Sequence, residues 1–421
     1  MKLVQFGAGN IGRSFIGQIF SRSLWEIVFI DVDRQLVKLL NEKKHYTVVI
    51  KRENQSDEMR RIGPVRAVDG RDADAAAAEL AGADIAATSV GKNALPNVLP
   101  VIAKGLALRR KQKGDLPLDI IIAENDREAP ALFRSVLSDL LGPEYPLDTL
   151  VGLAETSIGK MAPIMKTADL AEDPLQLFAE EYETLIVDRK AFRGPLPVIP
   201  ELCPVDPIAA YVDRKLFIHN LGHAAAAYLG YAAFTELPPE NQQPLNTNKC
   251  GIKEISFTVP EALTLPKVEE NVRQAMNEAA DALVLEYPKS IFSGSYSRED
   301  LDKYIEDLIF RFKNRALGDT VHRVGRDLYR KLAREDRITG AMLLCAKHNL
   351  PFKTIAKVYR AALDFAAPAE NGRLFPADEE FRKEYISGSL ELNTLKKIMR
   401  EVSGLEPDDI RSLLDFAQWQ E

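Results

Sequence analysis

A doubly wound α/β sheet followed by a mainly α-helical C-terminal half is the fold class this sequence predicts, and three features predict it. Apolar runs at 2–6, 27–30, 83–90, 118–123 and 149–154 alternate with helical or polar stretches, the βα order of a parallel sheet. Five prolines crowd the thirteen residues 195–207 and stop helix and central strand alike, which makes this stretch a semi-rigid connector. Beyond them the apolar period is that of helices almost without interruption, at 208–230, 261–287, 298–315, 321–335, 337–349, 352–366 and 391–401. The 421 residues exceed what one hydrophobic core usually serves, so two domains are expected, 1–200 and 201–421.

Residues 2–6 read as a buried strand, Gly7-Ala8-Gly9-Asn10-Ile11-Gly12 follows, and 13–20 carry a helical period. A dinucleotide pyrophosphate requires this order, because the free amides and the dipole of the helix N-terminus then face the phosphates across a turn without side chains. Gly7 makes the turn, Gly9 lets the backbone approach the phosphates, and Gly12 lets the helix pack on the strand. The second apolar run ends in Asp31, nineteen residues after Gly12. A carboxylate there fits a ribose diol and repels the extra phosphate of NADP, so NAD is the expected cofactor of a Rossmann-type domain. Arg34, close by, is the feature that favours NADP instead.

Ligands of such sheets sit beyond the carboxyl ends of the strands. The residues following each run, 88–91, 124–125 and 155–156, are therefore candidates. Gly7, Gly9, Asn10, Ile11, Gly12, Asp31, Thr88, Val90 and Gly91 form the cofactor set. Asn125 is able to donate to a carbonyl oxygen beside the nicotinamide, although an asparagine after a strand also marks an Asx turn.

After the connector, Lys215, His219, Asn220 and His223 stand in an otherwise apolar helical stretch. At the spacing of a regular helix they fall at about 0°, 40°, 140° and 80°, one broad face. A solvated polar stripe is the plain explanation, but Leu216, Phe217, Ile218 and the alanines 224–227 are too apolar for a surface helix. Oxidation of an alcohol by hydride transfer needs a base for the hydroxyl proton and donors for the developing oxyanion. Lys215 suits the base, since desolvation and neighbouring cations lower a lysine toward neutrality. Asn220 and Asn125 suit the oxyanion, and His223 the substrate hydroxyls.

The pattern Lys215-x4-Asn220-x2-His223, joined to FGAGNIGR at 6–13, resembles the polyol-specific long-chain dehydrogenases, the mannitol dehydrogenase family. Further segments at 103–114, 120–125, 187–200, 214–230 and 323–337 are similar in order, so the resemblance covers most of the chain. It implies a metal-independent, NAD-linked sugar-alcohol dehydrogenase with Lys215 as general acid/base and Asn125 and Asn220 as the oxyanion pair. His223, Arg323 and Lys331 are implied as substrate contacts. One departure is Gly159-Lys160 before Met161-Ala162-Pro163, where the family usually carries Asp-Arg. A substrate-contacting carboxylate is then missing, which leaves the polyol open.

Arg323, Arg326, Arg330, Arg334 and Arg337 lie within about 80° of one another on a regular helix, one positive stripe suited to phosphate. Pairing with Asp327, Glu335 and Asp336 on a solvated face explains it equally well, and the resemblance favours a phosphorylated sugar.

The net charge of −7 gives no global positive field for nucleic acid or anionic lipid. No run of about 20 apolar residues suggests a membrane span, no signal-peptide pattern opens the chain, and a cytoplasmic location is expected. Cys203, Cys250 and Cys345 are too widely spaced for a disulfide scaffold or a structural zinc site. Two rivals remain. Tyr211 and Lys215 also spell the YxxxK of short-chain dehydrogenases, and a Rossmann domain alone would serve a non-catalytic NAD-binding regulator.

Overall fold

The computed structural model describes residues 1–53, 55–161, 171, 173–236, 246–247, 253–254, 257–288, 296–369, 371–386 and 391–417. The chain forms two compact units, Met1–Tyr211 and Val212–Glu421. The strands of the first are β1 (Lys2–Phe6), β2 (Glu26–Asp31), β3 (Tyr46–Ile50), β4 (Glu58–Ile62), β5 (Val65–Asp69), β6 (Ile85–Thr88), β7 (Leu118–Ile122), β8 (Val151–Ser157), β9 (Leu177–Ala179), β10 (Leu185–Asp188) and β11 (Leu202–Val205). Their main sheet has the order β11-β10-β8-β7-β6-β1-β2-β5. It is parallel from β5 to β8, and β10 runs antiparallel to β8. A smaller sheet, β4-β3-β9, packs on one face.

Alternation along β1 shows why two layers form: Leu3 joins the core on one face with Phe15, Ile27 and Phe29, while Val4 and Phe6 join the other with Leu80, Leu99 and Phe133. Strands covered on both faces read as near-continuous apolar runs, and each fully buried Leu, Ile or Phe contributes roughly 1.5–3 kcal/mol. The doubly wound sheet is therefore the one expected, and its strand order reverses between the parallel neighbours β1 and β6, where ligands of this fold bind.

The proline-rich stretch differs from expectation. Its last part is strand β11, hydrogen-bonded in parallel to β10 at the sheet edge, where Pro204 leaves only one side unable to donate. The connector reading of 195–207 thus holds only for its first part.

The second unit is mainly helical, as expected. Its hub is the helix Pro266–Glu286, which packs against Leu221–Thr235, Arg298–Phe312, Thr339–Lys347 and Lys353–Leu363. A Cβ on Gly222 would stand 2.5 Å from Met276 Sδ, so glycine is what lets the first of these helices approach the hub. Buried Glu278 of the hub accepts N–H bonds from Thr354 and Ile355 and caps the helix Lys353–Leu363. The helix expected over 321–335 is broken: Val321–Gly325 and Leu328–Lys331 are separate, because Asp327 turns with φ +74. Helices Pro376–Tyr385 and Pro407–Ala417 were not expected. Among the described residues no helix is long and apolar enough to cross a membrane.

Candidate active site

The loops 7–12 and 89–91 meet at the switch point. Gly7 has φ +89, and a Cβ there would lie 2.5 Å from the Ser89 carbonyl oxygen; one on Gly12 would collide with the Gly7 carbonyl. Gly9 and Asn10 are exposed, with open space around Gly9, while Ile11 turns inward. Arg13 lies buried behind the loop and donates from Nε to the Ala8 carbonyl at 2.6 Å and from Nη1 to that of Leu175 at 2.8 Å. Asp31, at the end of β2, accepts from Ala8 N at 2.7 Å and Asp33 N at 2.9 Å. Arg34 is engaged by Asp69, Nε to Oδ2 at 3.0 Å, and Asp33 caps the helix that follows. An open glycine backbone beside a carboxylate at the end of β2 fits a dinucleotide with a free ribose diol.

Thr88 ends β6, fully buried. The amides of Val90 and Gly91 donate to the two carboxylate oxygens of Glu124, at 2.9 and 2.8 Å. Glu124 directly precedes Asn125, which is exposed at the end of β7. One carboxylate therefore ties the loop after β6 to the residue after β7. At the end of β8, burial raises the Glu155 carboxyl to about 7, opposed by Arg127 and reinforced by Asp188 and Glu128.

In the second unit the helical run changes character over Lys215–Asn220, a π turn followed by the helix Leu221–Thr235. The regular spacing used for the sequence fails here. A regular helix leaves Lys215 and Asn220 about 140° apart, whereas i→i+5 bonding widens the coil and brings residues five apart toward one side. The deviation thus turns the expected base and the expected oxyanion donor toward one side.

Burial lowers the Lys215 amine to about 8; Arg337 adds to this and Asp336 opposes it. Burial, then Arg311, His223, Lys215 and Arg337 hold His219 well below the ordinary imidazole range, so its ring is neutral. The His223 ring stacks on Phe312 with centroids 5.0 Å apart, and its Nε2 lies 3.2 Å from Asp319 Oδ2. The other oxygen of Asp319 pairs with Arg323. Asp319 is thus a buried carboxylate shared by two expected substrate contacts, fixed by the bond from Val259 N to its carbonyl at 2.9 Å. Burial, with Arg337 and Arg330, lowers the Lys331 amine to about 7, and its Nζ donates to the Arg326 carbonyl.

The five arginines do not make one stripe, because the helix that would carry them breaks at Asp327. Lys160, in the place of the usual family arginine, is buried, donates to the Glu180 carbonyl at 2.7 Å and lies over the Phe15 ring. Ala162 and Pro163 of that segment, and Cys250, lie outside the described residues; Cys203 and Cys345 are free thiols. No group of three His, Cys, Asp or Glu side chains suited to a metal ion occurs among the described residues.

Sequence reasoning gave no role to Arg13 or Asp319, and marked Glu124 as a candidate only by its place after a strand. The available signal was a charge inside or next to an apolar run; a charge alone does not reveal which backbone amide or side chain it will meet.

A Rossmann-type unit with an appended helical unit, the latter carrying a half-buried lysine followed on the same helical run by an asparagine and a histidine, is the build of a two-unit oxidoreductase. The model of the mannitol dehydrogenase Rossmann domain matches residues 1–201, and that of the mannitol dehydrogenase C-terminal domain residues 250–411. The chain belongs to the mannitol dehydrogenase family, which sets the short-chain reading of Tyr211 and Lys215 aside. It is 34% identical over 383 residues to the mannitol-1-phosphate 5-dehydrogenase of Bacillus subtilis (strain 168), covering 90% of this chain and 92% of that one. Against the same-named enzyme of Bacillus pumilus (strain SAFR-032) it is 33% identical over 414 residues, 97% of each. The fold matches that of D-sorbitol dehydrogenase in substrate-free form, with TM-score 0.72 and 16% identity over 98% of this chain and 94% of that one. A ternary complex of Pseudomonas fluorescens mannitol 2-dehydrogenase with NAD and D-mannitol gives TM-score 0.69 and 16% identity, over 99% and 90%.

Proposed function

We propose that this chain is an NAD-dependent, metal-independent oxidoreductase that interconverts a sugar-alcohol phosphate and a ketose phosphate, mannitol 1-phosphate and fructose 6-phosphate. The observation that carries the reading is the Lys215 amine, lowered to about 8 on the same π turn as Asn220. An amine near neutrality accepts a proton in one direction and returns it in the other. The phosphorylated substrate is supported by the relatives at 32–34% identity over most of the chain, which carry that enzyme's name.

NAD, when bound, supplies the hydride acceptor. The open backbone at Gly9 and Asn10 would hold its pyrophosphate and Asp31 would take a ribose diol; the engagement of Arg34 by Asp69 supports NAD over NADP. Lys215 Nζ takes the hydroxyl proton during oxidation. Asn220 and Asn125 donate to the substrate oxygen as its charge develops. His223, Arg323 and Lys331 orient the remaining hydroxyls. The division of labour between residues 1–200 and 201–421 belongs to the same reading, cofactor in the first and substrate in the second.

A substrate panel tests this. Purified protein is assayed for NADH absorbance with mannitol, sorbitol, their phosphates and hexuronates, with NAD and NADP in parallel. Turnover highest with mannitol 1-phosphate and NAD is expected. Preference for a free polyol or a hexuronate moves the chain to another branch of the family, and silence with every substrate favours the regulator.

A further inference from the structure

We infer that Arg326 is the side chain that reads the substrate phosphate, and so sets the preference for a phosphorylated over a neutral polyol. The inference rests on the polyol-phosphate reading above and names the residue that enforces it.

Charge balance separates Arg326 from its neighbours. Arg323 pairs with Asp319; Arg330 lies 2.6 Å from Asp327 and Arg334 2.6 Å from Asp409; Arg337 lies 2.7 Å from Asp336. Arg326 has no carboxylate partner among the described residues, and its guanidinium lies 5.5 Å from the centroid of the Phe375 ring. It is also exposed, whereas Arg337 is buried and Arg323 half-buried. An arriving phosphate dianion would have to compete with a carboxylate at each of the other four. At Arg326 it would not.

The backbone under Arg326 is clamped. Its amide donates to the His322 carbonyl at 3.0 Å, and its carbonyl accepts from Lys331 Nζ. Buried Asp378 then takes the amides of Asp327 and Leu328, the latter at 2.7 Å, across the turn that breaks the helix. These bonds fix Arg326 directly beside Lys331, and its charge reaches Arg323, whose own pKa burial and Arg326 together lower. The two substrate contacts implied by the family resemblance therefore flank it.

Lys331 is a poor alternative reader. Its amine is buried, lowered to about 7 and committed to a carbonyl, so it holds a full positive charge only part of the time at neutral pH. At Arg326 a planar guanidinium matches two phosphate oxygens at once. In a chain of net charge −7, an open cation at this position is the local feature able to attract a doubly charged substrate.

The experiment compares the full-length protein with Arg326→Ala and Arg326→Lys, measuring kcat and KM for mannitol 1-phosphate and for mannitol, and inhibition by inorganic phosphate. Loss of a charge-assisted contact should lower the ratio of kcat/KM for the phosphate ester to that for the neutral polyol by about 10- to 100-fold in the alanine variant. Most of the change should lie in KM for the ester. The lysine variant should recover part of it, and inorganic phosphate should inhibit the alanine variant more weakly. A ratio that does not move, or an equal loss on both substrates, overturns the role of Arg326 and leaves the proposed function standing. A wild-type protein with no preference for the ester overturns both, before any variant is made.

Discussion

Lys215 is an ordinary amine made unusual by its surroundings. Burial disfavours its charged form and Arg337 repels it, while Asp336 returns only part of the difference; the outcome is a value of about 8. As a base the amine must be deprotonated, so kcat/KM for alcohol oxidation should rise about tenfold per pH unit below 8 and level off above it. Ketose reduction needs the protonated amine and should fall above 8. The stability sign follows from the same shift. The folded amine releases its proton at about 8, and the unfolded one at about 10.4. Between those values the unfolded chain binds more protons, so this group's contribution to stability rises with pH there, and below 8 its penalty is constant. Lys215→Ala should reduce kcat by roughly 10²–10⁴ and abolish the pH 8 limb, with NADH affinity retained in a fluorescence titration. Near-normal turnover in that variant removes Lys215 as the base.

At the scale of elements, two short devices position the groups proposed to act. The π turn Lys215–Asn220 moves Asn220 toward the side of Lys215, and Glu124 binds Val90 and Gly91 while standing next to Asn125. Replacing Glu124 by Gln leaves one amide facing a side-chain NH2 in a buried spot. Each lost bond to a charged acceptor is worth about 1.5–3 kcal/mol, so NADH should bind about 10- to 100-fold more weakly in Glu124→Gln. NADH affinity equal to wild type in that variant would show that the loop does not depend on the carboxylate. The elements also show what pattern reading is able to see. β1, β2, β6, β7 and β8 were legible because both faces are buried and the apolar run is near-continuous. β4 was not, since Glu58, Arg60 and Arg61 fill a strand that is only partly buried, and β9 has only three residues. The helix break at Asp327 was invisible because it depends on Asp378, more than fifty residues away, accepting the amides of Asp327 and Leu328.

At the scale of the whole molecule, each of the two units has its own core, so a cofactor held by one adds stability to that unit first. Ligand at a hundred times its Kd stabilises the state that binds it by about 2.7 kcal/mol. For a unit of about 200 residues this corresponds to a rise of roughly 5–10 °C in Tm. Calorimetry with saturating NADH should show that rise in at least one transition, and a smaller one with NADPH. Equal shifts would contradict the assignment of Asp31 to a free ribose diol; no shift with either would remove the N-terminal unit as a cofactor site.

Local spacing alone determined the glycine loop, the carboxylate after β2, the helical second half and the lysine, asparagine and histidine on one helix, because each depends on residues within about twenty positions of one another. Tertiary structure decided what those groups are chemically. The value of the Lys215 amine comes from burial and from Arg337, more than a hundred residues away, and the pairing of His223 and Arg323 comes from Asp319. It also decided which arginine stays open, since carboxylates as distant as Asp409 claim the others. Desolvation and charge pairing depend on distances in space, and a one-dimensional pattern carries those only where the chain is regular.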